Sequence, residues 1–262
     1  MDIVVCVKQV AQTSEAEIRI DESGKDIRKE DLVFDLNEAD NYALEEALLI
    51  KEKFGGIVTV ITLGDKDSDR MLRTCLSKGA DNAIRLWDSG FQGSDGYATA
   101  KILASAIKKL KFDIILTGIQ ASDDGYAQVG VALAQILGIP HASMVTKLEI
   151  EDGKARVERE LESGLGEVVE VKLPALFTIQ TGINEPRYGS VRGIKMALKK
   201  PIRVMDSSAL GLAKDEVGES GSKTKVEKLF IPVIEKRAEI IQGDPNEVSE
   251  KLSKVLKERG LI

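Results

Sequence analysis

The sequence predicts an α/β fold: a doubly wound, mainly parallel sheet, followed by a hairpin region and a C-terminal arm. Short apolar runs rich in Val and Ile recur at strand length, and segments with helical spacing of apolar residues separate them. Gly-containing punctuation stands at several of the junctions. Such runs suit strands buried on both faces, and strands alternating with helices need right-handed crossovers that cover both faces of the sheet.

Asp2 to Val7 is the first such run and fits a central strand. A polar, weakly patterned stretch follows to about Lys29. Asn37 then precedes a helix with apolar positions Ala39, Tyr42, Ala43, Ala47, Leu48 and Ile50, ending at Gly55-Gly56. Ile57 to Leu63 is a second buried strand. The alternation continues with a helix from about Ser68 to Ser77, a strand at Ala83 to Leu86, and a helix from Gly96 to Leu110. A strand at Asp113 to Thr117 and a helix from about Ala127 to Leu137 complete it.

From Val145 onward the pattern becomes hairpin-like. Val157, Arg159 and Leu161 alternate with Glu158, Glu160 and Glu162, and Gly164 and Gly166 mark a turn. Val168, Val169 and Val171 lead back, and Pro174 to Thr178 reads as a buried strand. Gly211 to Thr224 has the Gly, Ser and charged composition of a linker. Asp244-Pro245 supplies an N-cap and a first-turn proline for a final helix, whose stripe of Val248, Leu252, Val255 and Leu256 needs a surface to cover.

At 262 residues the chain can bury one large core without a second domain. It has no apolar stretch of the roughly 18 residues that suggest a membrane span, and it opens directly into a strand, so cytoplasm is the expected address. A net charge of −6 argues against nucleic acid as the main ligand, because phosphate backbones need a basic surface. Cys6, Cys75 and one histidine offer no zinc spacing, so no metal site is expected. His141 lacks a nucleophile or carboxylate constellation around it, which disfavours a catalytic role, and Trp87 reads as packing.

In doubly wound sheets, ligands bind beyond the carboxyl ends of strands, where helix N-termini offer free N–H groups to anions. The strand at Asp113 to Thr117 runs into Gly118-Ile119-Gln120-Ala121-Ser122-Asp123-Asp124-Gly125-Tyr126-Ala127-Gln128-Val129-Gly130. This loop carries neither a GxGxxG fingerprint nor a P-loop. Asp123 and Asp124 are expected to cap the helix and fix the turn. Backbone N–H groups from Gly125 to Val129 would face phosphates, and Gln128 would add a side-chain donor. An ordinary capped loop is the competing reading.

Several separated segments narrow the choice. Val157 to Thr178, Asn184-Glu185-Pro186-Arg187-Tyr188, Val5 to Val10, Glu45-Glu46-Ala47, Lys78-Gly79-Ala80-Asp81 and Leu256 to Gly260 together resemble electron-transfer flavoprotein beta subunits, nearly end to end. The resemblance implies an adenine-nucleotide alpha-hydrolase-like fold over residues 1–210, with residues 211–262 as linker and arm packing on a partner subunit. It implies that Gly118, Gln120, Asp123, Gly125, Tyr126, Ala127, Gln128 and Val129 form an AMP-binding loop, and that Cys6, Asn37, Asp40, Leu63 and Gly64 line the adenine and ribose pocket.

It further implies a heterodimer with an alpha subunit that carries an FAD, and no activity for this chain alone. A recognition loop around 184–196 would then place Glu185, Arg187, Tyr188 and Val191 against a flavin dehydrogenase or quinone oxidoreductase.

Three departures from the mitochondrial type matter: Thr13 stands where that type has a flavin-facing Tyr, Ser190-Val191-Arg192-Gly193 replaces a Leu-Pro-Asn anchor, and Ala127-Gln128-Val129-Gly130 replaces Asn-Gln-Thr-Gly. The changes at Thr13 and at 127–130 resemble the bifurcating members, in which a second FAD occupies the AMP position and accepts a hydride from NADH, and the change at 190–193 implies a different dehydrogenase partner. The alternatives are a simple electron carrier with structural AMP, or an adenine-nucleotide-binding sensor or stress protein. A nucleotide-dependent hydrolase is disfavoured by the absence of a nucleophile–base pair.

Overall fold

The computed structural model describes all residues except 14, 15, 31, 233–237 and 239. The chain opens with β1 (Asp2–Cys6), then a small antiparallel pair, β2 (Gln9–Ala11) and β3 (Phe34–Leu36), that the sequence pattern does not announce. There follow α1 (Glu38–Phe54), β4 (Ile57–Leu63), α2 (Ser68–Lys78), β5 (Asn82–Leu86), α3 (Gly96–Ile107), β6 (Ile114–Gly118) and α4 (Val129–Leu137). Next come β7 (His141–Glu151), β8 (Lys154–Glu160), β9 (Gly166–Lys172), β10 (Ala175–Ile179), α5 (Val191–Ala197) and β11 (Ile202–Met205). Two one-turn helices, α6 (Ser207–Leu210) and α7 (Gly218–Gly221), precede the terminal α8 (Pro245–Glu258).

Among the described residues, nine strands form one sheet in the order β11-β5-β4-β1-β6-β10-β7-β8-β9. All pairings from β11 to β7 are parallel, and β7-β8-β9 is an antiparallel meander. β1 sits at the centre, its Ile3 level with Val58 of β4 on one side and Ile114 of β6 on the other. The chain winds outward from β1 through β4 and β5, then returns to build the opposite half from β6. The order therefore reverses between β1 and β6, which is where such sheets open a crevice.

Burial on both sides follows from the strand alternation. Ile3, Val5 and Val7 pack with Leu44, Leu48, Met71 and Leu72 of α1 and α2, while Val4 and Cys6 face Ile102, Leu103, Ile107 and Leu133 of α3 and α4. Each β-branched residue thus fills one of two cores, so the strands read as continuous apolar runs.

Three local expectations are corrected. Helix α4 begins at Val129, two residues later than the periodicity suggested. The segment after Tyr188 is helical, as α5, because Ser190 caps it by accepting the Gly193 N–H at 3.0 Å. Gly211 to Thr224 is folded onto the domain rather than loose: Val217, Gly218 and Gly221 are buried, Glu216 pairs with Lys101 at 2.8 Å, and Asp95 accepts the Lys223 and Thr224 N–H groups. Helix α8 does begin at Asp244-Pro245, with Asp244 accepting from the Asn246 and Glu247 N–H groups, and it buries none of its residues. No described helix is long and apolar enough to cross a membrane.

Candidate functional site

A cavity of about 490 Å³ opens at the carboxyl ends of β1, β4 and β6. Cys6, Val7 and Lys8 line it from β1, Leu63 and Gly64 from β4, and Gly118 to Ala121 from β6. Trp87 and Phe91 form one wall, Gly93 to Gly96 at the start of α3 another, and Tyr126 to Gly130 at the start of α4 a third.

The switch point is pinned by Asp40. Its buried carboxylate accepts the Lys8 N–H at 2.7 Å and the Gly118 N–H at 2.9 Å, tying the ends of β1 and β6 to the first turn of α1. A side chain at Gly118 would strike Asp40. Burial pushes the Asp40 carboxyl up to about 7, even against the N–H groups that favour its charged form. Asn37 works beside it: its amide donates to the Gln120 carbonyl at 2.9 Å and accepts from the Ser122 N–H at 3.1 Å. Asn37 thus acts on the loop from behind, outside the cavity lining.

The loop between β6 and α4 is shaped by charge. Lys8 Nζ lies 2.7 Å from both Asp123 Oδ1 and Asp124 Oδ2. The other Asp124 oxygen accepts the Tyr126 N–H at 3.1 Å, an Asx turn. These carboxylates fix the turn as expected, but neither caps α4: Gln128 holds the cap position, and no side chain bonds there. Gly125 (φ 61°) and Ala127 (φ 52°) are left-handed and turn the chain ahead of the helix, but the Gly125 N–H is taken by the Ala121 carbonyl at 2.9 Å and the Tyr126 N–H by Asp124, so these two do not face a phosphate as expected. Gly130 seats α4 against the sheet, since a Cβ there would lie 2.6 Å from Thr117 Oγ1 and 2.7 Å from Thr178 Cγ2.

The start of α3 lies across the cavity, with a Cβ on Gly96 falling 3.7 Å from that of Gln128. Its cap, Asp95, is fully engaged with Ala98, Lys223 and Thr224. The open helix start is therefore that of α4.

Of the residues that sequence pointed to, Cys6, Asp40, Leu63, Gly64, Gly118 and Gln120 line the cavity together with Tyr126, Ala127, Gln128 and Val129. Asn37, Asp123 and Gly125 stand outside the lining and shape the loop. Thr13 is exposed and also outside it. Trp87 lines the cavity as well as packing, and Lys8, Phe91 and the Gly93 to Gly96 turn were missed. Lys8 and Trp87 each follow the carboxyl end of a strand, β1 and β5, and that position was the available signal. Burial raises the Cys6 thiol pKa well above its ordinary value, so it is no nucleophile. His141 opens β7 outside the cavity, and no group of His, Cys, Asp and Glu that could hold a metal occurs among the described residues.

A second surface arises between β10 and α5. Buried Glu45 accepts from the Arg187 N–H at 3.0 Å and from its guanidinium at 2.7 to 2.9 Å, and Glu52 takes the remaining arm at 2.5 Å. The Asn184 amide reaches the Tyr42 carbonyl at 3.2 Å and Glu46 at 3.0 Å. Arg187 is therefore turned inward as an anchor, while Glu185 is exposed. Tyr188 and Val191, 94% and 86% exposed, project outward. Gly189 and Gly193 seat α5 on Ser77, and Arg73 donates to the Ala197 and Lys200 carbonyls at its far end. That leaves Ile194, Met196 and Leu198 exposed among Arg192, Lys195 and Lys199, with no acidic residue from Pro186 to Met205.

Residues 27–210 match the electron transfer flavoprotein domain family. The electron transfer flavoprotein subunit beta of Methylophilus methylotrophus is 42% identical over 98% of each chain. That of Thermoanaerobacterium thermosaccharolyticum is 43% identical over the whole of both. The caffeyl-CoA reductase-Etf complex subunit CarD of Acetobacterium woodii is 42% identical, again over the whole of both chains.

Proposed function

The chain belongs to the electron transfer flavoprotein family as a beta-type subunit, and on that premise we propose that its cleft binds an adenine nucleotide, FAD in preference to AMP. The subunit then passes electrons between NADH or a dehydrogenase and downstream acceptors, in a heterodimer whose alpha subunit carries a second FAD. The observation that carries this reading is the uncapped start of α4 opening onto the cavity at the β1/β6 switch. Backbone N–H groups and a helix dipole are suited to phosphate there.

The residues present fit such a group. Gln128, Val129 and Gly130 would hold phosphate, largely through backbone N–H groups that need no polar side chain, and the apolar flank of Cys6, Val7 and Leu63 would take the adenine. When bound, the flavin supplies the hydride and electron chemistry, and the protein supplies position and electrostatics. Asp40 and Asn37 keep the strand ends and the loop in one geometry. Trp87 and Phe91 exclude water from one side.

The replacement of two polar loop positions by Ala127 and Val129 supports an extended diphosphate over a lone phosphate, and with it the bifurcating, NADH-oxidising form of the complex. The face of Tyr188 and Val191 supports docking to a flavin dehydrogenase or quinone oxidoreductase, and the uncovered α8 supports a covering alpha subunit.

Gly130→Ala in the purified complex tests the site. The added methyl meets Thr117 and Thr178 and displaces the start of α4, so bound nucleotide should fall about tenfold, with a loss of about 1–3 kcal/mol in stability. Glu149→Ala, on the exposed hairpin, should change neither. Equal nucleotide content in the two variants would place the ligand elsewhere.

A further inference from the structure

We propose that Lys8, clamped between Asp123 and Asp124, sets the charge selectivity of the cleft: it admits adenine nucleotides of low phosphate charge and rejects nucleoside di- and triphosphates. The inference rests on the adenine-nucleotide reading above and concerns what that reading leaves open, namely how the cleft tells nucleotides apart.

Among the described residues, the cations lining the cavity are Lys8 and Lys29, and both are already spent. Lys8 lies 2.7 Å from each of the two aspartates, and Lys29 lies 2.7 Å from Asp26. The local set of Lys8, Asp123 and Asp124 carries a net charge of about −1. What remains to face a phosphate is the start of α4, worth roughly half a positive charge. That favours the doubly substituted pyrophosphate of FAD or the single monoester of AMP, each of which brings about two negative charges. It falls short for ADP and ATP, whose terminal phosphates add about one further charge each, with no cation to meet it in a cleft that is partly dry. ATP-binding loops of the P-loop type solve this with a free lysine on the phosphates. Here the lysine is present and withheld.

The clamp also explains two carboxylates beside a phosphate site. Lys8 holds them against the strand end, and the second Asp124 oxygen is occupied by the Tyr126 N–H. Freed of its partners, Lys8 stands at the cavity wall as an available cation.

The test is a displacement titration of AMP, FAD, ADP and ATP on the nucleotide-depleted two-subunit complex, native and Asp123→Asn/Asp124→Asn. An amide oxygen at position 124 still accepts the Tyr126 N–H, so the turn survives the change. The native complex should bind AMP and FAD at least about tenfold more tightly than ADP, and ATP more weakly still. The double variant should narrow the preference for AMP over ADP by about tenfold, and adding Lys8→Met should cancel that gain. Equal affinity for AMP and ADP in the native complex overturns the role of Lys8 while the nucleotide reading stands. So does a preference that the double variant leaves unchanged. Failure of the native complex to bind any of the four nucleotides overturns the reading itself.

Discussion

At the scale of single residues, Asp40 joins the architecture of the cleft to a measurable titration. Its carboxyl is pushed from 3.8 up to about 7 in the folded chain, with burial as the leading cause. The stability linked to this group is therefore fully present below about pH 4 and is lost as pH rises through about 7. Burial raises Glu46 too, in the same sense. Hydrogen bonds to Ser207 and Gly90 hold Asp88 below its ordinary value, so its contribution is lost only in acid and leaves the neutral window flat. Melting followed from about pH 5 to 8 should show a falling midpoint, and Asp40→Asn, though less stable overall, should flatten that fall. Parallel curves for the two proteins would show that Asp40 does not titrate there.

Residue roles were legible in the sequence where local chemistry fixes them. Gly118 and Gln128 are of this kind, a glycine at a strand's end and an amide at a helix start, whereas Asp40 was pointed to only by the resemblance to a family. Asn37 was read as lining the pocket and Asp123 as a cap and turn residue of the binding loop, yet what holds each of them, Gln120 and Ser122 for the one and Lys8 for the other, lies more than eighty residues away. Spacing along a chain carries no trace of such pairings.

At the scale of elements, the segment from Asn184 to α5 is a strap tied down at one end and displayed at the other. Arg187 holds it to the buried Glu45, so Arg187→Met leaves a carboxylate in the interior without its cation. The expected cost is about 2–3 kcal/mol, less than a fully enclosed pair because the guanidinium is 32% exposed. Val191 stands clear of that lashing. Val191→Glu should leave nucleotide content and melting unchanged while slowing electron transfer to the partner dehydrogenase about tenfold. Added salt should slow transfer by the native complex as well, since the α5 face is basic. Undiminished transfer by Val191→Glu would move the docking site elsewhere.

The long alternating elements were legible because burial on two faces leaves unbroken Val and Ile runs. The strand β11 and the β2/β3 pair were not, since four and three residues carry too little pattern. Helix α5 was hidden by Gly193, which reads as a breaker but is required where the helix rests on the Ser77 carbonyl. The segment 211–224 looked like a linker by composition. Asp95, more than 110 residues earlier, is what holds its end in place.

At the scale of the molecule, a chain of net charge −6 places its open cleft at the reversal of strand order, its basic apolar face on α5, and its uncovered arm at α8. The first position follows from topology, which the alternation of elements made readable. The other two are surfaces whose meaning depends on other chains: the apolar stripe of α8 was readable as a face in need of cover, but what covers it, and the docking role of the α5 face, were pointed to only by the resemblance to a family. Nucleotide, flavin donor and partner subunit meet in one claim: the cleft at the β1/β6 switch carries FAD. Heat release and quantitation of the nucleotides in the purified two-subunit complex tests it most directly. Two FAD per complex, one of them bleached by NADH without added acceptor, is the predicted result. One FAD and one AMP, with no reaction toward NADH, would contradict it.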